Sequence, residues 1–136
     1  LIERFPESAL VPMAKKARAW CSYSSGLIDD AVIGYRELAN SDLPADQLAE
    51  AQYWLGKAFE KKGDFKQART EYLKMGILYP ESKLAGTAMF KVGECYRQEG
   101  MVDKAIHAYN TVIKNYPDSD VIPQVRGTLK RLKEED

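Results

Sequence analysis

The sequence predicts an all-α fold, a solenoid built from antiparallel helix pairs, on three grounds. The chain repeats itself every 37 residues: Ala31, Ala68 and Ala105 keep that spacing, as do Gly26, Gly63 and Gly100, and Tyr35, Tyr72 and Tyr109. Inside each period, two runs with apolar residues at helical spacing are separated by the periodic glycine. Each period then ends in a turn, Tyr79-Pro80-Glu81-Ser82 and Tyr116-Pro117-Asp118-Ser119, foreshadowed by Phe5-Pro6-Glu7-Ser8. A fixed period of this length marks a chain in which each unit packs only on its neighbours. Such chains present a long surface, so the first expectation is a binding module and not an enzyme.

The elements follow in order. Residues 1–8 align with residues 112–119, Leu1 with Val112, Ile2 with Ile113, Phe5 with Tyr116, Pro6 with Pro117 and Ser8 with Ser119. They are expected to be the end of a preceding repeat, as in a piece of a longer protein. Unit one spans 9–45, with helices expected over 12–24 and 27–40 and with Leu43-Pro44 in place of the aromatic-Pro turn. Unit two spans 46–82. Its first helix, over 49–62, carries Ala51, Leu55, Ala58 and Phe59 and stops at Gly63-Asp64, where glycine supplies a left-handed cap. Its second, over 65–79, carries Ala68, Tyr72, Met75 and Leu78 and ends before Pro80, because a residue preceding proline avoids helical angles. Ser82 is placed to cap the next helix. Unit three, 83–119, repeats the plan with helices over 84–99 and 102–116. In the last segment, 120–136, Pro123 opens a helix carrying Val125, Leu129 and Leu132 and ending in charged residues, which reads as a cap over the apolar end of unit three.

Small residues predict where helices approach. Ala68 and Ala105 stand where the two helices of a pair cross, opposite Gly56 and Gly93 on the first helices. A helical glycine costs about 1 kcal/mol relative to alanine, so its periodic use implies close approach. Phe59 is expected to pack on Tyr72, and Tyr96 on Tyr109. Cys21 and Cys95 are 74 residues apart, two full periods. Equivalent points two units apart exceed the roughly 7 Å reach of a disulfide, so both are expected to be free and mostly buried thiols.

Composition narrows the function classes. With 20 basic and 20 acidic residues the formal charge is zero, which argues against nucleic acid or an anionic membrane surface as the main partner. No apolar run approaches the roughly 20 residues needed to span a bilayer. At 136 residues the chain is long enough for one domain that buries roughly 68% of its unfolded surface. The single histidine, His107, and two distant cysteines do not make a zinc site or a catalytic triad, and the glycines are periodic and not clustered as in a phosphate loop. No enzyme activity, metal or cofactor is expected, and His107 reads as a surface residue.

Trp54-Leu55-Gly56 followed by Phe59, Gly63, Ala68, Tyr72 and Pro80, and Val92-Gly93 followed by Tyr96, Gly100, Ala105, Tyr109 and Pro117, resemble the tetratricopeptide repeat. Unit one departs from it, with Ala19 for the helix glycine and Ser22 for the aromatic, so looser packing is expected there. The resemblance implies a right-handed superhelix of three units and a capping helix, with the first helix of each unit lining the concave face. The period departs too, being longer than the common repeat of about 34 residues. The longer unit with its Tyr-Pro-acidic-Ser ending, and Ala51-Gln52-Tyr53-Trp54-Leu55-Gly56, are similar to the repeat domain of the bacterial Tol–Pal accessory protein. They are also similar to outer-membrane assembly lipoproteins. That similarity implies a periplasmic or outer-membrane-associated protein of the cell envelope, a cytoplasmic one remaining the alternative.

On that architecture the groove residues are those of the first helices that point away from their partners: Met13, Lys16, Trp20 and Tyr23 in unit one, Tyr53, Lys57 and Glu60 in unit two, and Phe90, Glu94 and Arg97 in unit three. The capping helix adds Gln124 and Arg131. Aromatic rings beside Lys and Arg suit a protein or peptide partner. The competing reading is that Trp20, Tyr53 and Phe90 pack between first helices and that the charges are merely solvated. Trp54, on the opposite side from Tyr53, is expected in the core. In the family's chaperone-binding members, Asn and Lys or Arg clamp a C-terminal carboxylate. The places of the asparagines are here taken by Trp20 and Lys57, which weighs against a cochaperone. Alternatives to peptide capture are self-assembly and a rigid spacer in a longer protein.

Overall fold

The computed structural model describes residues 7–134. Among them are helices and no strands: α1 (Glu7–Ser24), α2 (Ile28–Ala39), α3 (Ala45–Lys62), α4 (Phe65–Leu78), α5 (Ala85–Gln98), α6 (Val102–Asn115) and α7 (Ile122–Glu134). The main contacts run between consecutive helices, as in a solenoid. The segment expected to close a preceding repeat lies outside the described residues up to position 6. Glu7 and Ser8 already belong to α1, so this helix begins five residues before the expected start at Pro12 and carries that proline inside it. A proline removes one N–H only, here the donor to the Ser8 carbonyl, and α1 continues through it.

The periodic glycines do the same job three times. Gly26, Gly63 and Gly100 have φ of 83°, 87° and 79°, a region in which L side chains are strained. At each, the glycine N–H reaches the carbonyl three residues back and the next N–H reaches five residues back. The pairs are Gly63 to Glu60 and Asp64 to Phe59, both 3.0 Å, repeated as Gly100 to Arg97 and Met101 to Tyr96, and as Gly26 to Tyr23 and Leu27 to Ser22. This bond pair ends the first helix of every unit in the same geometry. The aromatic-Pro turns also coincide, with Tyr79 at φ −131°, ψ 59° and Tyr116 at φ −133°, ψ 55°. The Ser82 and Ser119 hydroxyls accept from the N–H groups of Leu84 and Val121.

Within a unit, the two helices meet across a tyrosine and a glycine. A Cβ added to Gly56 would lie 2.7 Å from the Tyr72 ring, and one on Gly93 would collide with the Tyr109 ring. Both tyrosines are almost fully buried. In unit one the roles invert. Ala19 replaces the first-helix glycine, and Gly34 on α2 makes the room instead, where a Cβ would sit 3.0 Å from that of Ala19. Ala19 and Tyr35 are buried, so this crossing is closed and not loosened.

Two expectations about the packing are corrected. Tyr72 and Tyr109 pair with Tyr53 and Phe90, at ring-centroid distances of 5.7 and 5.8 Å, and not with Phe59 and Tyr96. Phe59 and Tyr96 face the preceding unit, where they lie under Arg36 and Arg69. Arg69 also forms a part-buried ion pair with Glu99 at 2.7 Å, which ties α4 to the end of α5. Cys95 is a buried free thiol, but Cys21 is exposed. The reason is positional: Cys95 and its counterpart Ala58 face the second helix of the preceding unit, and no such helix covers Cys21 among the described residues. Burial pushes the Cys95 thiol up to about 12.

At the far end, α7 lays Val125 and Leu129 on Ala105, Tyr109 and Val112 of α6, and Thr128 is buried beside them. Its opposite side is charged and exposed, so it closes the apolar end of the stack.

The two classes of helical glycine make opposite predictions. Gly93→Ala forces the Tyr109 ring aside and should cost about 1–3 kcal/mol of stability. Gly127→Ala in α7 meets nothing within 4 Å and should gain up to about 1 kcal/mol. Urea denaturation midpoints of the two variants check both signs.

Candidate interaction groove

The first helices α1, α3 and α5 share one face of the molecule, joined by side chains that cross between them. Lys16 of α1 pairs with Glu50 of α3 at 2.8 Å, and Lys91 of α5 with Glu60 of α3 at 3.8 Å. Between α1 and α3 this face opens into a cleft of about 690 Å³, within the roughly 300–1,000 Å³ usual for ligand sites. Met13 and Lys16 form one wall, Tyr35 and Leu38 of α2 the floor, and Glu50 and Trp54 the other wall, while Asp42 to Pro44 and Asp46 close one end.

The cleft exists because the turn of unit one departs from the repeat. One period before Tyr79 stands Asp42. Tyr79 is partly buried and packed on the core, whereas Asp42 is exposed. Leu43 folds partly inward, Pro44 starts α3, and the space a turn tyrosine would close stays open.

A cluster of rings stands at the other end of the cleft. Trp54 is its hub. It meets Trp20 at 5.2 Å and Tyr23 at 5.3 Å, both edge to face, and Tyr35 at 6.2 Å and Tyr53 at 6.0 Å in flatter contacts. Trp20 also stacks on Tyr23 at 5.8 Å. Two ammonium groups ride on these rings, Lys57 over Trp54 at 5.4 Å and Lys61 over Tyr23 at 4.5 Å. Such contacts fix a cation in place at a gain of roughly 0.5–1 kcal/mol each.

The structure sorts the sequence-derived groove residues into distinct groups. Met13 and Lys16 line the cleft, and Met13 and Trp20 are 53% and 49% exposed, high values for side chains of their size. Tyr23 and Lys57 belong to the ring cluster at its end. Tyr53 is only 8% exposed, wedged between Trp54 and Tyr72, and acts as packing. Phe90 leans on Tyr109, while Glu94 accepts a hydrogen bond from the Tyr109 hydroxyl and pairs with Arg97 at 3.3 Å. These three share the face of the first helices but are not in the cleft. Gln124 and Arg131 are exposed on α7. Trp54, expected in the core, is half-buried and central to the site: adjacent helical positions differ by only 100°, so both Trp54 and Tyr53 reach the seam between α1 and α3. Sequence reasoning also missed Tyr35, Leu38, Asp42, Asp46 and Gln47. Their one visible signal was the broken turn at Leu43-Pro44.

Burial sets the protonation of the rings. Tyr53 is pushed up to about 12 chiefly by burial, with the charge of Glu60 adding to it, and Tyr35 is also pushed up to about 12 by burial, with Glu50 adding. Tyr72, which donates to Glu60 at 3.0 Å, is raised mainly by burial. Lys57 is lowered, first by desolvation and then by the neighbouring charge of Lys91.

Comparison with known families decides the nature of the units: the tetratricopeptide repeat model matches residues 50–82 and 87–119. Residues 50–82 and 87–119 are tetratricopeptide repeats. A solved structure described as the TPR2AB-domain:pHSP90 complex of yeast Sti1 is similar in fold, with a TM-score of 0.75, 18% sequence identity and coverage of 93% of this chain. The chain spans about half of that one, 49% of its length. At this identity the likeness shows the fold. No curated protein matches the sequence. Among the described residues no group of three or more His, Cys, Asp or Glu side chains is placed to hold a metal ion, and no helix is long and apolar enough to cross a membrane. His107 is exposed on α6. The cleft and its ring cluster together form a recessed surface on the repeat array.

The tyrosines predict an alkaline limit. Because folding raises the pKa values of Tyr35 and Tyr53 above the ordinary value of 10.0, the folded state binds more protons than the unfolded one between about pH 10 and 12. Stability is therefore full below pH 10 and falls as pH rises through that window. Urea midpoints measured from pH 8 to 11.5 should show this decline, and Tyr53→Phe should make it shallower.

Proposed function

We propose that this chain captures an extended peptide segment of a protein partner in the cleft between α1 and α3, as part of a scaffold in the bacterial cell envelope, periplasmic or outer-membrane-associated. One observation carries the reading. A recess of about 690 Å³ with an aromatic end is bordered by large side chains, Trp20 and Met13, that the fold leaves about half exposed. Recessed aromatic surface next to fixed cations is what anchors an apolar side chain and orients its flanks. The similar fold of yeast Sti1, solved as a TPR2AB-domain:pHSP90 complex, supports the class of activity. The envelope location rests on the 37-residue unit with its Tyr-Pro-acidic-Ser turns, which resembles that of envelope proteins.

The test uses variants that separate groove from core. Trp20→Ala with Met13→Ala should reduce affinity for a captured partner at least tenfold while leaving the circular dichroism spectrum unchanged. Tyr53→Ala should instead destabilise the fold by about 3 kcal/mol, so it is the control for a packing residue. Wild type and the double variant, used as bait in periplasmic and cytoplasmic extracts, should differ in the same captured protein. Equal capture by both removes the cleft from the mechanism, and a partner found only in cytoplasmic extract removes the envelope location.

A further inference from the structure

The cations of the first-helix face are not equivalent. Lys16, Lys91 and Arg97 each have a carboxylate at ion-pair distance, Glu50, Glu60 and Glu94 respectively. Lys57 and Lys61 have none among the described residues. They lie one helical turn apart on α3, held over Trp54 and Tyr23, and the nearby Glu60 is already engaged by Lys91 and the Tyr72 hydroxyl. Lys61 additionally donates only to the Tyr23 carbonyl oxygen, at 3.4 Å. Desolvation and the charge of Lys91 work against the Lys57 ammonium, so an added anion would relieve it. The opposite end of the same cleft has the opposite character. Asp42 and Asp46 line it, both exposed, and neither has a cation at ion-pair distance among the described residues.

Charge is therefore ordered along α3: uncompensated carboxylates at its start, aromatic rings in the middle and uncompensated ammonium groups near its end. We propose that the groove selects an extended peptide that is itself dipolar, with a cationic side chain at the Asp42 and Asp46 end, an apolar anchor in the cleft and an acidic side chain at Lys57 and Lys61. The spacing follows from geometry. Asp46 to Lys57 is eleven residues of helix, about 16 Å at 1.5 Å per residue. An extended peptide advances about 3.3 Å per residue, so its two charges stand about five residues apart. This deepens the peptide-capture reading above and rests on it. It also accounts for a groove that needs no net charge, since the partner it fits is balanced too.

The experiment uses end-blocked ten-residue peptides with a central Leu-Leu and, five positions apart, Lys and Glu, or Gln and Gln, or two Lys, or two Glu. The chain has two tryptophans, and both belong to the ring cluster, so intrinsic fluorescence reports occupancy of this site directly. The Lys/Glu peptide should bind about tenfold more tightly than the Gln/Gln peptide at low salt, with the like-charged peptides between. The preference should vanish at 1 M salt, where screening acts within about 3 Å. Lys57→Gln with Lys61→Gln should remove most of the preference, lowering affinity for the Lys/Glu peptide more than for the Gln/Gln peptide. Equal binding of all four peptides, or an equal loss for the Gln/Gln peptide in the variant, overturns the dipolar selection and leaves peptide capture standing. Failure of every peptide to change the fluorescence overturns both.

Discussion

The rest of the structure depends on the contact, in units two and three, between a tyrosine ring on the second helix of the pair and a missing side chain on the first. Tyr72 lies against Gly56 and Tyr109 against Gly93 so closely that a single carbon on either glycine would have to displace the ring. That approach fixes the separation of the paired helices. The other faces of the first helices are then free to build the solenoid: one side meets the preceding unit, where Phe59 and Tyr96 lie under Arg36 and Arg69, and another lines the groove. The hydroxyl ends of the same tyrosines reach that face, where Glu60 and Glu94 accept from them. The ring that sets the packing thus also positions two carboxylates of the first-helix face. A dispersion contact in the core and an electrostatic feature at the surface are consequences of one residue.

What was legible in the sequence follows from this. The glycine turns could be read because a left-handed residue at a fixed place needs glycine, and Gly26, Gly63 and Gly100 do adopt it. The helix pairs could be read because apolar spacing and the aromatic-Pro stops are local signals. Which rings touch could not, since Tyr53, Phe59 and Tyr72 all lie near one crossing and periodicity alone does not say which of the first two the third will meet. Trp54 shows the same limit. A large ring reaches well beyond its own backbone position, so a helical projection that places it opposite Tyr53 misses that both rings converge on the seam with α1. Burial of Cys21 failed for another reason: among the described residues, no neighbouring helix covers it as one covers Cys95.

The groove was half legible. Met13, Lys16, Trp20, Tyr23 and Lys57 fall on one stripe of the first helices, and the structure gathers them about the seam between α1 and α3. Its floor and its acidic end come from elsewhere, from Tyr35 and Leu38 of α2 and from Asp42 and Asp46 around the turn. Those residues have no place on a first-helix stripe. They take part because the turn of unit one lacks the tyrosine that Tyr79 and Tyr116 supply later, and a turn that fails to close leaves a recess floored by the second helix.

A repeat imposes sameness on what holds the fold and leaves the rest free, and the groove is made of what is free. The place filled by Trp20 in α1 holds Lys57 in α3, Glu94 in α5 and Arg131 in α7. The place of Trp54 holds Ala17, Lys91 and Thr128 in the other units. The Gly56–Tyr72 and Gly93–Tyr109 crossings persist through these changes. Among the described residues the aromatic cluster therefore occurs once, at the seam where Trp20 and Trp54 face each other, while the next seam, between α3 and α5, is spanned by the Lys91–Glu60 pair instead. Identical scaffolding with unlike side chains makes adjacent seams chemically different at little cost to the crossings that support them. The cleft and the ring cluster are thereby concentrated at one junction of an otherwise regular array.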